Sequence, residues 1–213
     1  MIKASIIRVS QQAEKWDQRF SERHCADAQA AAVLSENSHL LPRLGNALDL
    51  ASGLGGNAIL LAQAGLEVTA IDLSRVAMSK LDSYAQEQQL AIHCHCYDLE
   101  VASQQSEEFK HRAVSGLEEN SFDVIVVSHY LYRPLLPALL SALKPGGLLY
   151  YQTFTQQHVA ATGPSNTAYR LAKNELLEFC KALHILFYRE EGLQGDTEQG
   201  FRNQAMIIAQ RPE

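Results

Sequence analysis

The sequence holds no apolar run able to cross a bilayer: its hydrophobic stretches are broken by His, Arg, Pro or Gln before the roughly 18–20 residues a spanning helix needs. Cysteine is scarce. Cys25, Cys94, Cys96 and Cys180 are the only four, and their spacing builds no disulfide framework. The opening MIKASIIRVSQQAEKW is too polar for a secretory signal, so a reducing, cytoplasmic setting is expected. A basic excess is also missing. Lys and Arg number 18 against 24 Asp and Glu, and the formal charge of −6 repels polyphosphate and disfavours nucleic acid as a partner. No internal repeat or low-complexity tract interrupts the chain. No metal site is expected either. On a strand, His93-Cys94-His95-Cys96 would send two histidines to one face and two cysteines to the other, and two ligands per face do not close a zinc site.

What is present is enough apolar material, 46% of 213 residues, to bury one sizeable core, so a single domain over 1–213 is expected. Short apolar runs at 47–51, 67–72, 91–98, 122–129, 148–154, 184–189 and 205–210 alternate with helix-like segments. That alternation predicts an α/β fold, a doubly wound and mostly parallel sheet of seven strands. Helices are expected at 56–64 before Gly65, at 74–88 behind a serine cap, at 135–143 before Lys-Pro-Gly-Gly, and at 173–182. Residues 1–45, with an alanine-rich helical run at 26–34, are expected to form a helical cap over one sheet edge, leaving 46–213 as the core. Residues 101–120 turn polar and lose periodicity, which reads as a surface excursion.

The segment ALDLASGLGGNAILLAQAG runs from a strand through a glycine-rich turn into a helix with no polar break. Gly53, Gly55 and Gly56 permit backbone angles and close approaches that a Cβ would block, and the free N–H groups of the helix start favour an anion. The glycines suit a pyrophosphate and a carboxylate equally. The acids narrow the choice. Asp72, at the end of the second strand, can accept both hydroxyl hydrogens of a ribose, and Asp98, one strand further along, can receive an exocyclic amine. Asp49, just before the turn, would repel a pyrophosphate and favour an ammonium or sulfonium.

Taken in order, DLASGLGGN (49–57), VTAIDLS (68–74), YDLE (97–100), FDVIVVSHYL (122–131) and LKPGGLLYYQTF (143–154) resemble the class I S-adenosylmethionine-dependent methyltransferases. The resemblance covers nearly all of the chain after Leu48. It implies a Rossmann-like sheet whose last strand is antiparallel, with S-adenosylmethionine as cofactor and S-adenosylhomocysteine as product. It also implies that Asp49, Gly53 and Gly55 hold the methionine moiety, Asp72 the ribose and Asp98 the adenine, with Ala51, Ser52, Asn57, Leu73, Leu99 and Ser128 as neighbouring cofactor contacts. Ala51 stands where the family usually has its first glycine. The early WDQRF (16–20) is similar to small-molecule methyltransferases of the tellurite-resistance and thiopurine type.

Transfer of a sulfonium methyl needs alignment and exclusion of water more than an elaborate catalytic triad. A base that strips a proton from the acceptor would hang over the end of the fourth strand, where His129 and Tyr130 stand as catalytic candidates. Trp16, Tyr132, Arg133, Tyr169 and Arg170 are candidate substrate contacts, and the long connection 156–170 is a candidate lid. A small-molecule acceptor and a monomer or homodimer are expected. The rivals are an NAD-dependent oxidoreductase, because residues 53–58 also fit G-x-G-x-x-[GA], a non-catalytic cofactor-binding protein and, within the enzyme class, an RNA methyltransferase, which the acidic composition disfavours.

Overall fold

The computed structural model describes residues 2–102 and 117–213, the side chains of 2–10, 101 and 102 excepted. Seven strands form one sheet in the order β3-β2-β1-β4-β5-β7-β6. They are β1 (Asn46–Leu50), β2 (Glu67–Asp72), β3 (Ile92–Cys96), β4 (Phe122–Ser128), β5 (Leu143–Phe154), β6 (His184–Arg189) and β7 (Gln204–Gln210). β7 runs antiparallel to both of its neighbours, and the pairings from β3 through β5 are parallel. The strand order reverses at β1, which lies between β2 and β4, so the crevice outside its carboxyl end is where this architecture receives ligands.

Both faces of the central strands are apolar because both are covered. One layer packs Ala47, Val68, Ala70, Val124, Val126, Tyr150, Met206 and Ile208 beneath the helices Gly56–Gln63 and Arg75–Gln88. The opposite layer packs Leu48, Leu50, Ile71, Ile125, Val127, Leu149, Tyr151 and Ile207 against Leu135, Leu139 and Leu176. The helix Arg75–Gln88 starts where its serine cap predicts: Ser74 Oγ accepts from the N–H of Ala77 at 3.1 Å.

Four local expectations differ from what is seen. The alanine-rich stretch is not one helix. It holds a 3-10 turn at Cys25–Asp27, extended backbone at Ala28 and Ala31, and a short helix at Ala32–Ser35. Helix propensity is overridden by tertiary hydrogen bonds, since Ala31 N–H donates to Asn57 Oδ1 at 2.9 Å and Val33 N–H to Gln152 Oε1 at 2.8 Å. These bonds lay the N-terminal region across one face of the sheet, where Phe20, Cys25, Val33 and Leu34 join the core, rather than over an edge.

The helix Leu136–Ala142 ends directly ahead of Lys-Pro-Gly-Gly, as expected, but β5 starts at Leu143 rather than at 148 and takes that stretch in. Leu143 pairs with Phe122, the register shifts before Val124, and Gly146 adopts φ 76°. The last helix spans only Glu175–Phe179, because Asn174 is left-handed and Glu175 Oε2 accepts the Ala172 N–H at 2.7 Å. Of the polar excursion at 101–120, residues 103–116 lie outside the described residues.

The strap at 28–33 rests directly on the glycine turn: a Cβ on Gly56 would lie 2.3 Å from the Gln29 carbonyl oxygen. In a free helix alanine is favoured over glycine by about 1 kcal/mol, so the contact decides the sign. Gly56→Ala is expected to lower stability by about 1–3 kcal/mol in urea denaturation, and a neutral or stabilising effect would show that the strap does not sit there.

Candidate active site

β1 runs into a turn in which Ala51, Gly53 and Gly55 all adopt left-handed backbone, at φ 55°, 53° and 81°. Two hydrogen bonds set its path, from Ser52 N–H to the Ile71 carbonyl at 3.1 Å and from Gly55 N–H to the Ser52 carbonyl at 2.9 Å. Glycine is required at Gly55, where a Cβ would come within 2.4 Å of Leu81. Ala51 carries its Cβ in the same unfavourable region, a cost of about 1 kcal/mol held in the turn. The hydroxyl of Ser52 is buried and has no partner among the described residues.

Two buried carboxylates hold this turn. Asp49 is fully buried; its Oδ1 accepts from Asn57 Nδ2 at 3.2 Å and its Oδ2 from the Ala58 N–H at 3.0 Å. Burial pushes its pKa up to about 7 against the pull of those bonds, and the nearby Asp72 adds to the rise. Asn57 also donates to Ser128 Oγ at 2.9 Å, so Asp49, Asn57, Ser128 and Ala31 form one network linking β1, β4 and the strap.

Asp72 is 8% exposed and accepts the Gly53 N–H through Oδ2 and the Ser74 N–H through Oδ1, both at 2.8 Å. Burial raises its pKa as well, opposed by the backbone N–H groups. With the Gly53, Ser74 and Leu73 N–H groups on a carboxylate that can accept about four hydrogen bonds, acceptor capacity remains for a ribose hydroxyl. At the next tip, Asp98 Oδ1 accepts the Glu100 N–H at 2.9 Å at the start of the short helix Leu99–Ala102, where Leu99 is buried. Leu73, half-buried beside Asp72, offers its carbonyl to Cys96 Sγ at 3.4 Å.

His129 sits at the tip of β4 with φ 56°, its ring 5.3 Å from that of Phe154. The residue is exposed, yet the crowding of the strand tips lowers its pKa, and the nearby Gln204 side chain opposes that fall. Tyr130 turns into the opposite layer. Its hydroxyl is buried without a partner among the described residues, and burial drives its pKa far up, so it keeps its proton at neutral pH.

The candidate substrate contacts separate into two groups. Trp16 stacks on Phe20 at 5.8 Å, and Phe20 lies over Gly53, so the N-terminal helix Ile2–Ser21 is brought to the glycine turn. Tyr132 and Tyr169 are half-buried. The two arginines brace the 156–170 connection. Arg133 makes a bidentate pair with Glu175 (2.5 and 2.9 Å) and donates to the carbonyls of Ala168 and Arg170. Arg170 is 4% exposed and donates to the carbonyls of Pro164, Thr155 and Thr162, with Phe154 alongside.

Several working residues were not singled out from the sequence. Asp17, inside WDQRF, accepts from Ser74 Oγ at 2.5 Å and from the Val76 N–H at 3.1 Å, and Lys80 Nζ donates to the carbonyls of Phe20, Ser21 and Arg23. These contacts latch the first helix to Arg75–Gln88. Gln152 links the strap to His129, accepting the Val33 N–H on its side chain and the His129 N–H on its carbonyl while its Nε2 donates to Gln204, and the available signal was a glutamine set inside or at the end of an apolar strand.

A family model described as a methyltransferase domain matches residues 18–203. No curated protein matches the sequence significantly. Among solved structures, TehB from Haemophilus influenzae is similar with a TM-score of 0.64 at 22% identity, over 92% of this chain and 67% of that one. An S-adenosylmethionine-dependent methyltransferase from Mesorhizobium loti gives 0.62 at 17% identity, over 85% and 99%. One from Methanosarcina mazei gives 0.60 at 19% identity, over 86% and 99%. At such identities these likenesses establish the fold.

The buried Asp49 makes stability depend on pH. Its carboxyl holds a proton up to about pH 7 in the folded state but loses it near pH 4 in the unfolded chain. The folded state therefore binds more protons across that window, and the contribution of Asp49 becomes less favourable as pH rises from about 4 to 7. Asp49→Asn is expected to shrink the loss of melting temperature between pH 5 and pH 8. An unchanged pH dependence in that variant would count against the burial described here.

Proposed function

This chain belongs to the S-adenosylmethionine-dependent methyltransferase family, whose members use S-adenosylmethionine as methyl donor, and on that premise we propose that it methylates a small-molecule acceptor beside His129. The observation that carries the placement is the left-handed turn itself, which follows the buried carboxylate of Asp49 and holds a Ser52 hydroxyl with no partner among the described residues. Donors beside an acid suit the two ends of an amino acid, a carboxylate and an ammonium, and suit a pyrophosphate poorly.

On this reading Gly53, Gly55, Ala51, Ser52 and Asn57 surround the amino-acid end with Asp49, and Asp72 and Leu73 take the ribose. Asp98 and Leu99 border the adenine, and Ser128 closes the floor through Asn57. When bound, the cofactor supplies an electrophilic methyl on a sulfonium for in-line displacement. His129, neutral at pH 7 because crowding lowers its pKa, accepts the proton that an oxygen, nitrogen or sulfur acceptor releases. Tyr130 holds its own proton too firmly for that task and serves as wall. Trp16, Tyr132 and Tyr169 border the acceptor space, while Arg133 and Arg170 shape it by holding the 156–170 connection in place.

The chain acts as a single domain, monomer or homodimer, with 1–45 stitched to the core through Asn57 and Gln152. Its free cysteines suit a cytoplasmic setting, and its net charge of −6 disfavours nucleic acid as the acceptor. Among the described residues no helix is long and apolar enough to cross a membrane.

Calorimetric titration is expected to show binding of S-adenosylhomocysteine and none of NADH; the reverse would overturn the proposal. Asp72→Ala is expected to abolish that binding. His129→Ala is expected to spare it while lowering radiolabelled methyl transfer to a panel of small O, N and S acceptors by about 10²-fold or more. Unchanged affinity in the first variant, or full turnover in the second, would remove the corresponding role.

A further inference from the structure

β3 is an edge strand, and its His93-Cys94-His95-Cys96 run divides between two faces as the strand pleat requires. His93 turns to one face, where its Nε2 lies 3.1 Å from Glu67 Oε1. Cys94 turns to the other and packs into the same apolar layer as Ile92 and Met78. Cys96, two residues on, shares the face of Cys94; it is exposed and donates its thiol hydrogen to the Leu73 carbonyl at 3.4 Å. A strand by itself offers two sulfurs per face. The helix Arg75–Gln88 adds a third, because Arg75, Met78, Ser79 and Asp82 recur at i, i+3, i+4 and i+7 on one of its sides. Together with Cys94 and Cys96 they line a single open groove of about 420 Å³. Two thiols and a thioether side chain thus border one space, outside the turn and strand tips described above.

We propose that Cys94, Cys96 and Met78 form a binding site for a soft monovalent cation of the Cu(I) type, separate from the cofactor pocket. Soft ions take thiolate and thioether sulfur in preference to oxygen. Residues two apart on a strand stand about 6.6 Å apart along it, and two metal–thiolate bonds of about 2.3 Å bridge up to about 4.6 Å, so both thiols reach one ion by turning toward each other. Zn²⁺ is a poorer occupant. Among the described residues no three His, Cys, Asp or Glu side chains gather to hold a metal ion, so its tetrahedral set is not completed, whereas a low-coordinate ion needs only the two thiolates with Met78 beside them. On binding, each thiol gives up its hydrogen as a proton, no electron is transferred, and one cation with two thiolates carries a single negative charge. Arg75 in the same groove offsets that charge; it already favours the thiolate of Cys96, against the burial that pushes both thiols up. Asp82 acts the other way on Cys94, and its carboxylate accepts from Gln86 Nε2 at 2.9 Å. Nothing in the site depends on the methyl-transfer reading above.

The test is anaerobic titration of the full chain with Cu(I) in competition with a chromophoric Cu(I) chelator, followed by the thiolate-to-metal charge-transfer absorption. One ion per chain is expected, drawn from the chelator. Cys94→Ser and Cys96→Ser should each lower the affinity by about 100-fold or more, and Met78→Leu, which keeps the side-chain volume, by about tenfold. Cys25→Ala, Cys180→Ala and the double variant His93→Ala/His95→Ala should bind as the unaltered chain does. Cys96 is exposed, so Cys96→Ser is expected to fold even if a variant of the more buried Cys94 does not, which thermal melts check. Failure to take the ion from the chelator, full affinity in Cys96→Ser or in Met78→Leu, or a loss in Cys25→Ala or the histidine variant equal to that in Cys96→Ser would overturn the proposal. No arm uses S-adenosylhomocysteine or a methyl acceptor, so the outcome leaves the assignment of the cofactor pocket to its own experiments.

Discussion

The site depends on acids that have been taken out of water and seated on backbone N–H groups. Asp49 and Asp72 lie at the ends of adjacent strands, and between them they accept from Ala58, Gly53 and Ser74. Leaving any of these donors unmet in the interior would cost about 1–3 kcal/mol, so the turn and the acids specify one another. The same seating raises both acids' affinity for protons, which leaves them ready to gain from a cationic or hydroxylic ligand. In this sense one constraint serves both folding and binding.

That constraint reaches further than the turn. Asn57 spends its amide hydrogens on Asp49 and Ser128 and its oxygen on Ala31, so the first helix of the core joins the N-terminal strap to β1 and β4. Asp17 and Lys80 hold the first helix against Arg75–Gln88 from the other side. On the far flank, Arg133 and Arg170 gather the carbonyls of the 156–170 connection around two guanidiniums. The carboxyl edge of the sheet is thus framed by segments whose backbones are tied down by side chains rather than by regular structure.

Much of this was readable from residues alone. The limits of β2 and β6 agree with their apolar runs, and the strand-turn-helix passage through Gly53 and Gly55 is explicit because glycine and alternating apolar runs are local signals. The alanine-rich stretch misled because its conformation is set by Asn57 and Gln152, which are distant in sequence. Lys-Pro-Gly-Gly does end the helix Leu136–Ala142, and what no local signal announced is that pairing of Leu143 with Phe122 also draws it into β5. Arg133 and Arg170 look like ligand contacts in a linear reading. Only their geometry reveals that their hydrogens are committed to Glu175 and to backbone carbonyls. Asp98, which local pattern places at a strand tip, does sit at the start of a short helix that no helix signal announced.

Trp16 is the sole tryptophan of the chain, and it is stacked on the phenyl ring that lies over Gly53. Arg19 sits 5.2 Å from the centre of its indole ring, a polarising charge close to the chromophore. Its emission therefore comes from a single place, the roof of the glycine turn. Anything that lifts or settles that roof alters the environment of the only indole, so the molecule carries its own optical gauge of what happens beneath.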